Sequence, residues 1–218
     1  ERLAGSEMCI RDSAVARSPQ KVYASLKKLG VRHLQFIACL DPIEGERGAQ
    51  PWALTPEAYG KFLCGLFDVY YRDWVNGDYT SVRLFDDYIH MAMGMPAGTC
   101  ATSGSCGAYF VVEGDGTVYP CDFYCLDEWK MGRIGEQSIP ELANSEKARL
   151  FLQQGERKPD ACADCRWYSL CHGGCKRDWV ENDGKLENYS CLAFKEFFAY
   201  AESRILEIAR AEAEYYRR

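Results

Sequence analysis

The chain has 218 residues, 47% apolar and 27% charged, and 26 lysines and arginines against 32 aspartates and glutamates give a net charge of −6. That composition suits a folded protein of one large domain or two small ones. It excludes collagen-like and disordered classes and supplies no basic field for nucleic acid or anionic lipid. No apolar run reaches the roughly 18 residues of a membrane span, and the start lacks the basic, apolar, small-residue order of a secretory signal, so a cytoplasmic location is expected.

The first residues are unusual. EMCIRDS, residues 7–13, reads as a translation of the mosaic-end adapter used in transposase-based sequencing libraries. Residues 1–13 are therefore expected to be an artefact of library preparation or cloning. On that reading Cys9 carries no function, and the remainder is the C-terminal part of a longer protein.

From Ser18 a helix is expected, with Pro19 in its first turn, Val22, Leu26 and Leu29 at helical spacing, and Gly30 stopping it. Residues 31–39 follow as a β-rich run, which makes the αβ half of a βαβ unit and implies a parallel sheet or barrel. Residues 40–53 read as a loop, whose Glu44 and Arg47 are taken as solvated charges. Thr55 then caps a long helix with Pro56 in its first turn and an apolar face of Leu63, Leu66, Phe67 and Tyr70. The aromatic run Phe67, Tyr70, Tyr71 and Trp74 reads as core. A strand over 81–85 and a short helix over 86–94 complete residues 14–98, which look like the last units of an α/β barrel.

Residues 99–191 are dense in cysteine and turns. Alternating strands over 109–112 and 117–119, around Gly114-Asp115-Gly116, predict a β-hairpin. Residues 139–154 predict one helix. A closing helix over 192–218 carries Phe194, Phe197, Phe198, Ile205 and Ile208.

Twelve cysteines in 218 residues are far above ordinary usage. Disulfide scaffolds are short, secreted and poor in core, so ligation of metal or iron–sulfur in a reducing compartment is the better account. Eight carry the signal: Cys100, Cys106, Cys121, Cys162, Cys165, Cys171, Cys175 and Cys191. The four thiolates of CADCRWYSLCHGGC, residues 162–175, would repel one another without a metal. Eight is two sets of four, enough for two cuboidal iron–sulfur clusters or two structural zinc sites, and spacing does not choose between them. Cys39 and Cys64 read as small core thiols, Cys125 as a spare and His172 as structural. His33 and His90 have no companions.

The spacing C-x5-C-x14-C, a gap, then C-x2-C-x5-C-x3-C-x15-C resembles the SPASM domain of radical S-adenosylmethionine enzymes. LQFIACLDP (34–42), YPCDFY (119–124) and CRWYSLCHGGCKRD (165–178) are similar to the anaerobic sulfatase-maturating enzymes. The resemblance covers nearly all of the chain after residue 13. It implies an α/β fold: C-terminal units of a partial TIM-like radical barrel, then a two-cluster SPASM domain over 99–191 and a C-terminal helix. It further implies two auxiliary [4Fe–4S] clusters, one on Cys100, Cys106, Cys121 and Cys175 and the other on Cys162, Cys165, Cys171 and Cys191. Each would be closed by four thiolates, with no iron open to substrate.

The implied reaction converts a Cys or Ser of a sulfatase C/S-x-P-x-R segment to Cα-formylglycine, using S-adenosylmethionine, a third radical [4Fe–4S] cluster and an electron donor such as flavodoxin or ferredoxin. Asp122 matches the family's proton acceptor, and Leu40 matches a position lining the S-adenosylmethionine site. One departure matters. The radical cluster needs CxxxCxxC, and no such spacing occurs in this sequence, so the chain alone is expected to be inactive. Two alternatives stay open: another radical SPASM peptide-modifying maturase, and a non-catalytic module binding zinc or iron–sulfur.

Overall fold

Pro19 and the Thr55-Pro56 pair start two helices of the first half where the sequence places them, although Ser18 makes no side-chain capping bond. In the computed structural model, which describes residues 5–10, 13–39, 41–107 and 109–217, strand β1 (Gly5–Ile10) leads through the short α1 (Ser13–Ala16) to α2 (Pro19–Lys28). Gly30, at φ +83°, ends that helix in a left-handed turn. Strand β2 (His33–Ala38) follows, then α3 (Pro56–Val75), whose first turn is capped by the Thr55 hydroxyl accepting from the Ala58 amide at 3.3 Å. The strand expected over 81–85 shrinks to β3 (Ser81–Val82), because Arg83 already begins the amphipathic helix α4 (Arg83–Ala92). Phe85, Tyr88 and Ile89 of α4 are buried on one face, and that burial outweighs the β-propensity of the segment.

The three strands pair in parallel in the order β1–β2–β3, with α2 and α3 as the crossovers. The segment read from sequence as an adapter scar thus includes the strand that lies beside β2, Gly5 opposite His33 through Ile10 opposite Ala38. Among the described residues this sheet is open and does not close into a barrel.

The last helix, α9 (Cys191–Tyr216), lies along α3 and α4 and completes their core. Phe197 is fully buried among Phe67, Phe85, Tyr88 and Phe198, with ring centroids 5.4 to 5.8 Å apart. The aromatic run of α3 is core, as its spacing implies, but its partner is α9. Polar contacts flank the seam: Tyr71 donates to Glu207 (2.7 Å), Trp74 to Glu212 (3.0 Å) and Arg204 to Asp68 (2.9 Å).

Between α4 and α9 the chain is short-elemented. Helix α5 (Cys100–Ser103) precedes a three-stranded antiparallel sheet of β4 (Val111–Val112), β5 (Thr117–Tyr119) and β6 (Gly132–Arg133). The single helix expected over 139–154 is two, α6 (Ile139–Ala143) and α7 (Glu146–Gly155). Ser145 adopts an extended backbone and caps α7 through the Ala148 amide at 3.2 Å, so a capping serine restarts the helix. Helix α8 (Tyr168–Cys171) and the hairpin of β7 (Trp179–Asn182) and β8 (Lys185–Asn188) complete the region. No helix among the described residues is long and apolar enough to cross a membrane.

Candidate functional site

Each cysteine is fixed by local backbone chemistry. Cys100 opens α5 after Thr99, and buried Asp87 of α4 anchors that turn by accepting from the Gly98 amide (3.2 Å) and from the hydroxyls of Thr99 (2.9 Å) and Thr102 (2.7 Å). Cys121 is buried two residues beyond β5. Ahead of Cys175, the residues His172, Gly173 and Gly174 take φ of +51°, +86° and +68°, which curls the chain tightly between Cys171 and Cys175. The Gly173 carbonyl in that curl accepts from Trp179 (2.9 Å) and Asn188 (2.8 Å). His172 is structural, its Nδ1 2.8 Å from the Thr102 carbonyl oxygen, and that contact joins α8 to α5.

These turns bring seven of the eight cysteines to two pockets that open to solvent. One is lined by Cys162, Cys165, Cys171 and Cys191 together with Gly173 and Phe194. A second is lined by Cys100, Cys106 and Cys175, with Gly155 and Lys176. The interactions among thiols respect the same division. Burial pushes the Cys171 thiol up to about 12, and Cys162, Cys191 and Cys165 push it further in the same direction. Burial likewise raises Cys175, and Cys100 and Cys121 add to the effect. Cys121 itself is pushed up to about 11, chiefly by burial.

Buried thiols crowded with like groups resist ionising alone and favour a bound metal that accepts their thiolates. Among the described residues, however, no three His, Cys, Asp or Glu side chains converge as they would on a single ion.

The remaining cysteines behave differently. Cys64 packs against the α3 core and is pushed up to about 11, mainly by burial. Cys39 ends the β2 run, and its carbonyl accepts from the Leu54 amide at 3.0 Å. Cys125 directs its thiol to the Cys121 carbonyl, 3.7 Å away.

Asp122 is exposed on the turn directly after Cys121, and its Oδ1 accepts from the Tyr109 hydroxyl at 2.8 Å. The same hydroxyl lies 3.5 Å from the Cys121 sulfur. Leu40 lies outside the described residues. Arg47, read from sequence as a solvated charge, is half-buried. It donates to the carbonyls of Asp41 (3.2 Å) and Arg177 (2.6 Å), while Arg177 donates back to the Asp41 carbonyl. Burial opposes the charge on Asp41, but the amides of Gly48 (2.7 Å) and Gln50 (2.8 Å) hold its carboxyl below the usual range. The loop after β2 is thereby clasped to the segment following Cys175.

Tyr109 and Lys176 are residues that sequence reasoning passed over. Lys176 places its ammonium among the rings of Tyr124, Trp129 and Phe151. Its place directly after Cys175 was the available signal.

This turn-built cysteine module with two thiol-lined pockets, seated against a parallel α/β unit, is similar to iron–sulfur cluster-binding domains of the SPASM type. The SPASM family model, an iron–sulfur cluster-binding domain, matches residues 104–166, which include Cys106, Cys121, Cys162 and Cys165. More particularly, the chain is a homologue of the anaerobic sulfatase-maturating enzymes. It is 40% identical over 204 residues to the cysteine-type enzyme of Clostridium perfringens (strain 13 / Type A), covering 93% of this chain and 55% of that enzyme. The serine-type enzyme of Bacteroides thetaiotaomicron is 27% identical over 213 residues, with coverage of 88% and 50%. A solved structure of native anSMEcpe with bound AdoMet and Cp18Cys peptide superposes with a TM-score of 0.87 at 40% identity, covering 94% of this chain and 57% of that one. The chain spans about half the length of the curated relatives it matches.

Proposed function

We propose that this chain supplies the auxiliary-cluster half of a radical S-adenosylmethionine oxidoreductase that converts a sulfatase cysteine to Cα-formylglycine. In this reading Cys100, Cys106, Cys121 and Cys175 hold one [4Fe–4S] cluster, and Cys162, Cys165, Cys171 and Cys191 hold the other. The observation that carries the reading is that seven of the eight thiols line two separate pockets, four and three, while Cys121 acts electrostatically on Cys175 of the smaller one. Zinc draws four ligands to one point at about 2.3 Å. The match to an iron–sulfur cluster-binding domain favours iron–sulfur over the zinc-module alternative.

When bound, two such closed clusters supply one-electron redox capacity and no open iron. The chain's own residues supply the proton chemistry. After hydrogen abstraction from Cβ, the substrate would lose its thiol proton and one electron to give a thioaldehyde, which water hydrolyses to the aldehyde with release of hydrogen sulfide. The exposed carboxylate of Asp122, one residue from proposed ligand Cys121, is the candidate acceptor of that proton. The Tyr109 hydroxyl orients that carboxylate. The higher identity to the cysteine-type relative favours a Cys over a Ser substrate. Its partners are then an unfolded sulfatase segment bearing C-x-P-x-R and a donor such as flavodoxin or ferredoxin.

The test is a chimera carrying this chain in place of the corresponding half of the Clostridium perfringens enzyme, reconstituted anaerobically and given a C-x-P-x-R peptide and S-adenosylmethionine. Aldehyde formation at the cysteine, detected by mass and hydrazide capture, is the expected result. A chimera that loads its clusters and cleaves S-adenosylmethionine but leaves every such peptide unmodified contradicts the assignment and points to another peptide maturase.

A further inference from the structure

The environment of Lys176 is not explained by packing alone. Its Nζ stands 3.9 Å from the ring centroid of Phe151, 4.8 Å from Trp129 and 4.9 Å from Tyr124. The three rings meet edge-to-face at 5.0 to 5.9 Å, forming the walls of a cage. The ammonium is buried and, among the described residues, has no hydrogen-bond partner. Lysine normally extends its charge into water or onto a carboxylate, and here it does neither. Lys176 also lines the smaller cavity, next to Cys175. The larger cavity is lined by Lys195, which is exposed and therefore screened by solvent.

We infer that Lys176 is a fixed counter-charge that raises the reduction potential of the cluster held by Cys100, Cys106, Cys121 and Cys175 above that of the second cluster. The inference rests on the proposed cluster assignment. Four thiolates leave such a cluster anionic, and reduction adds a further negative charge. A cation held in a low-dielectric cage favours the reduced form more than the oxidised one. The aromatic walls stabilise the ammonium without the carboxylate that would cancel its field. Lys176 is a positioning residue, acting on the cluster without ligating it. The cluster beside Asp122 is thereby the easier of the two to reduce.

The experiment uses the whole chain reconstituted with iron and sulfide, in wild-type form and as Lys176→Met, Lys176→Gln and Lys176→Arg. Reduction potentials are read by electron paramagnetic resonance titration, with iron and sulfide counted in each sample. The Met and Gln variants should lower one of the two potentials by at least a tenfold change in the reduced-to-oxidised ratio, about 59 mV for one electron. The other potential should stay fixed, and Lys176→Arg should remain near wild type. Full cluster content with unchanged potentials in either neutral variant overturns the inference, as does an equal shift in the Arg variant. A wild-type chain that takes up no iron–sulfur overturns the cluster reading itself, a failure seen before any variant is made.

Discussion

Gly155, the last residue of α7, tests whether the smaller cavity is a built site. A β-carbon there would stand 2.7 Å from the Cys106 sulfur and 2.8 Å from its Cβ. Ordinary carbon contacts begin near 3.5 Å, so the Gly155→Ala substitution makes the sulfur retreat by roughly 0.8 Å. Metal sites tolerate displacements of about 0.5 Å. Overpacking of this kind costs about 1–3 kcal/mol, against at most about 1 kcal/mol gained from alanine's helix propensity. A net loss of up to about 2 kcal/mol lowers cluster retention by up to roughly thirtyfold. Gly114→Ala is the control, since nothing lies within 4 Å of a β-carbon at that turn. After anaerobic reconstitution and a timed chelator challenge, G155A should fall from about eight iron per chain toward about four, with G114A unchanged. If G155A keeps its full complement and melts at or above the wild-type temperature, the close packing of α7 on Cys106 is refuted.

Asp73 is nearly buried in α3 and pairs with Lys27 of α2 and with Arg72 (3.1 Å). Burial opposes its charge, but the hydrogen bonds from Lys27 and Arg72 hold its carboxyl below the usual range. A depressed folded-state value contributes stability above the unfolded carboxylate pKa, and that stability is lost as pH falls through the folded value. Asp73→Asn should therefore cost about 3 kcal/mol at neutral pH, with the difference shrinking below about pH 4 in urea titrations; a pH-independent difference would contradict this. Phe197→Ala, which empties the centre of the α3–α4–α9 core, should cost about 3–5 kcal/mol, and a loss under about 1 kcal/mol would show that α9 is not docked there. In the active chimera, Asp122→Asn should lower kcat by about 10²- to 10⁴-fold with iron content intact, and Tyr109→Phe by about tenfold. Unimpaired turnover in D122N would remove Asp122 from the proton step.

Local signals carried far because they act within one turn. Thr55 with Pro56, Gly30, and the Gly114-Asp115-Gly116 turn all sit where their chemistry requires. The β7–β8 hairpin was readable too. Asp183 and Gly184 take φ of +48° and +76° at its two-residue turn, the Asp-Gly pair such a turn prefers. Two misjudged boundaries turn on single residues: Ser145, which caps a new helix, and Arg83, which starts one early. Other features depend on contacts remote in sequence. The Lys176 cage takes its rings from Tyr124, Trp129 and Phe151 on three separate segments. The clasp of Arg47, Asp41 and Arg177 spans the β2 loop and the Cys175 turn. No periodicity brings such groups together, and only the packed fold does.

We propose that two independent cysteine quartets each hold a [4Fe–4S] cluster. This is tested most directly by iron, sulfide, zinc and Mössbauer analysis of the reconstituted chain beside two variants, each with one quartet changed to alanine. The wild type should carry about eight iron and eight sulfide and either variant about four of each, all with cuboidal-cluster spectra. A colourless wild type holding about two zinc and no sulfide would contradict it, as would loss of both clusters when either quartet alone is removed and the fold persists.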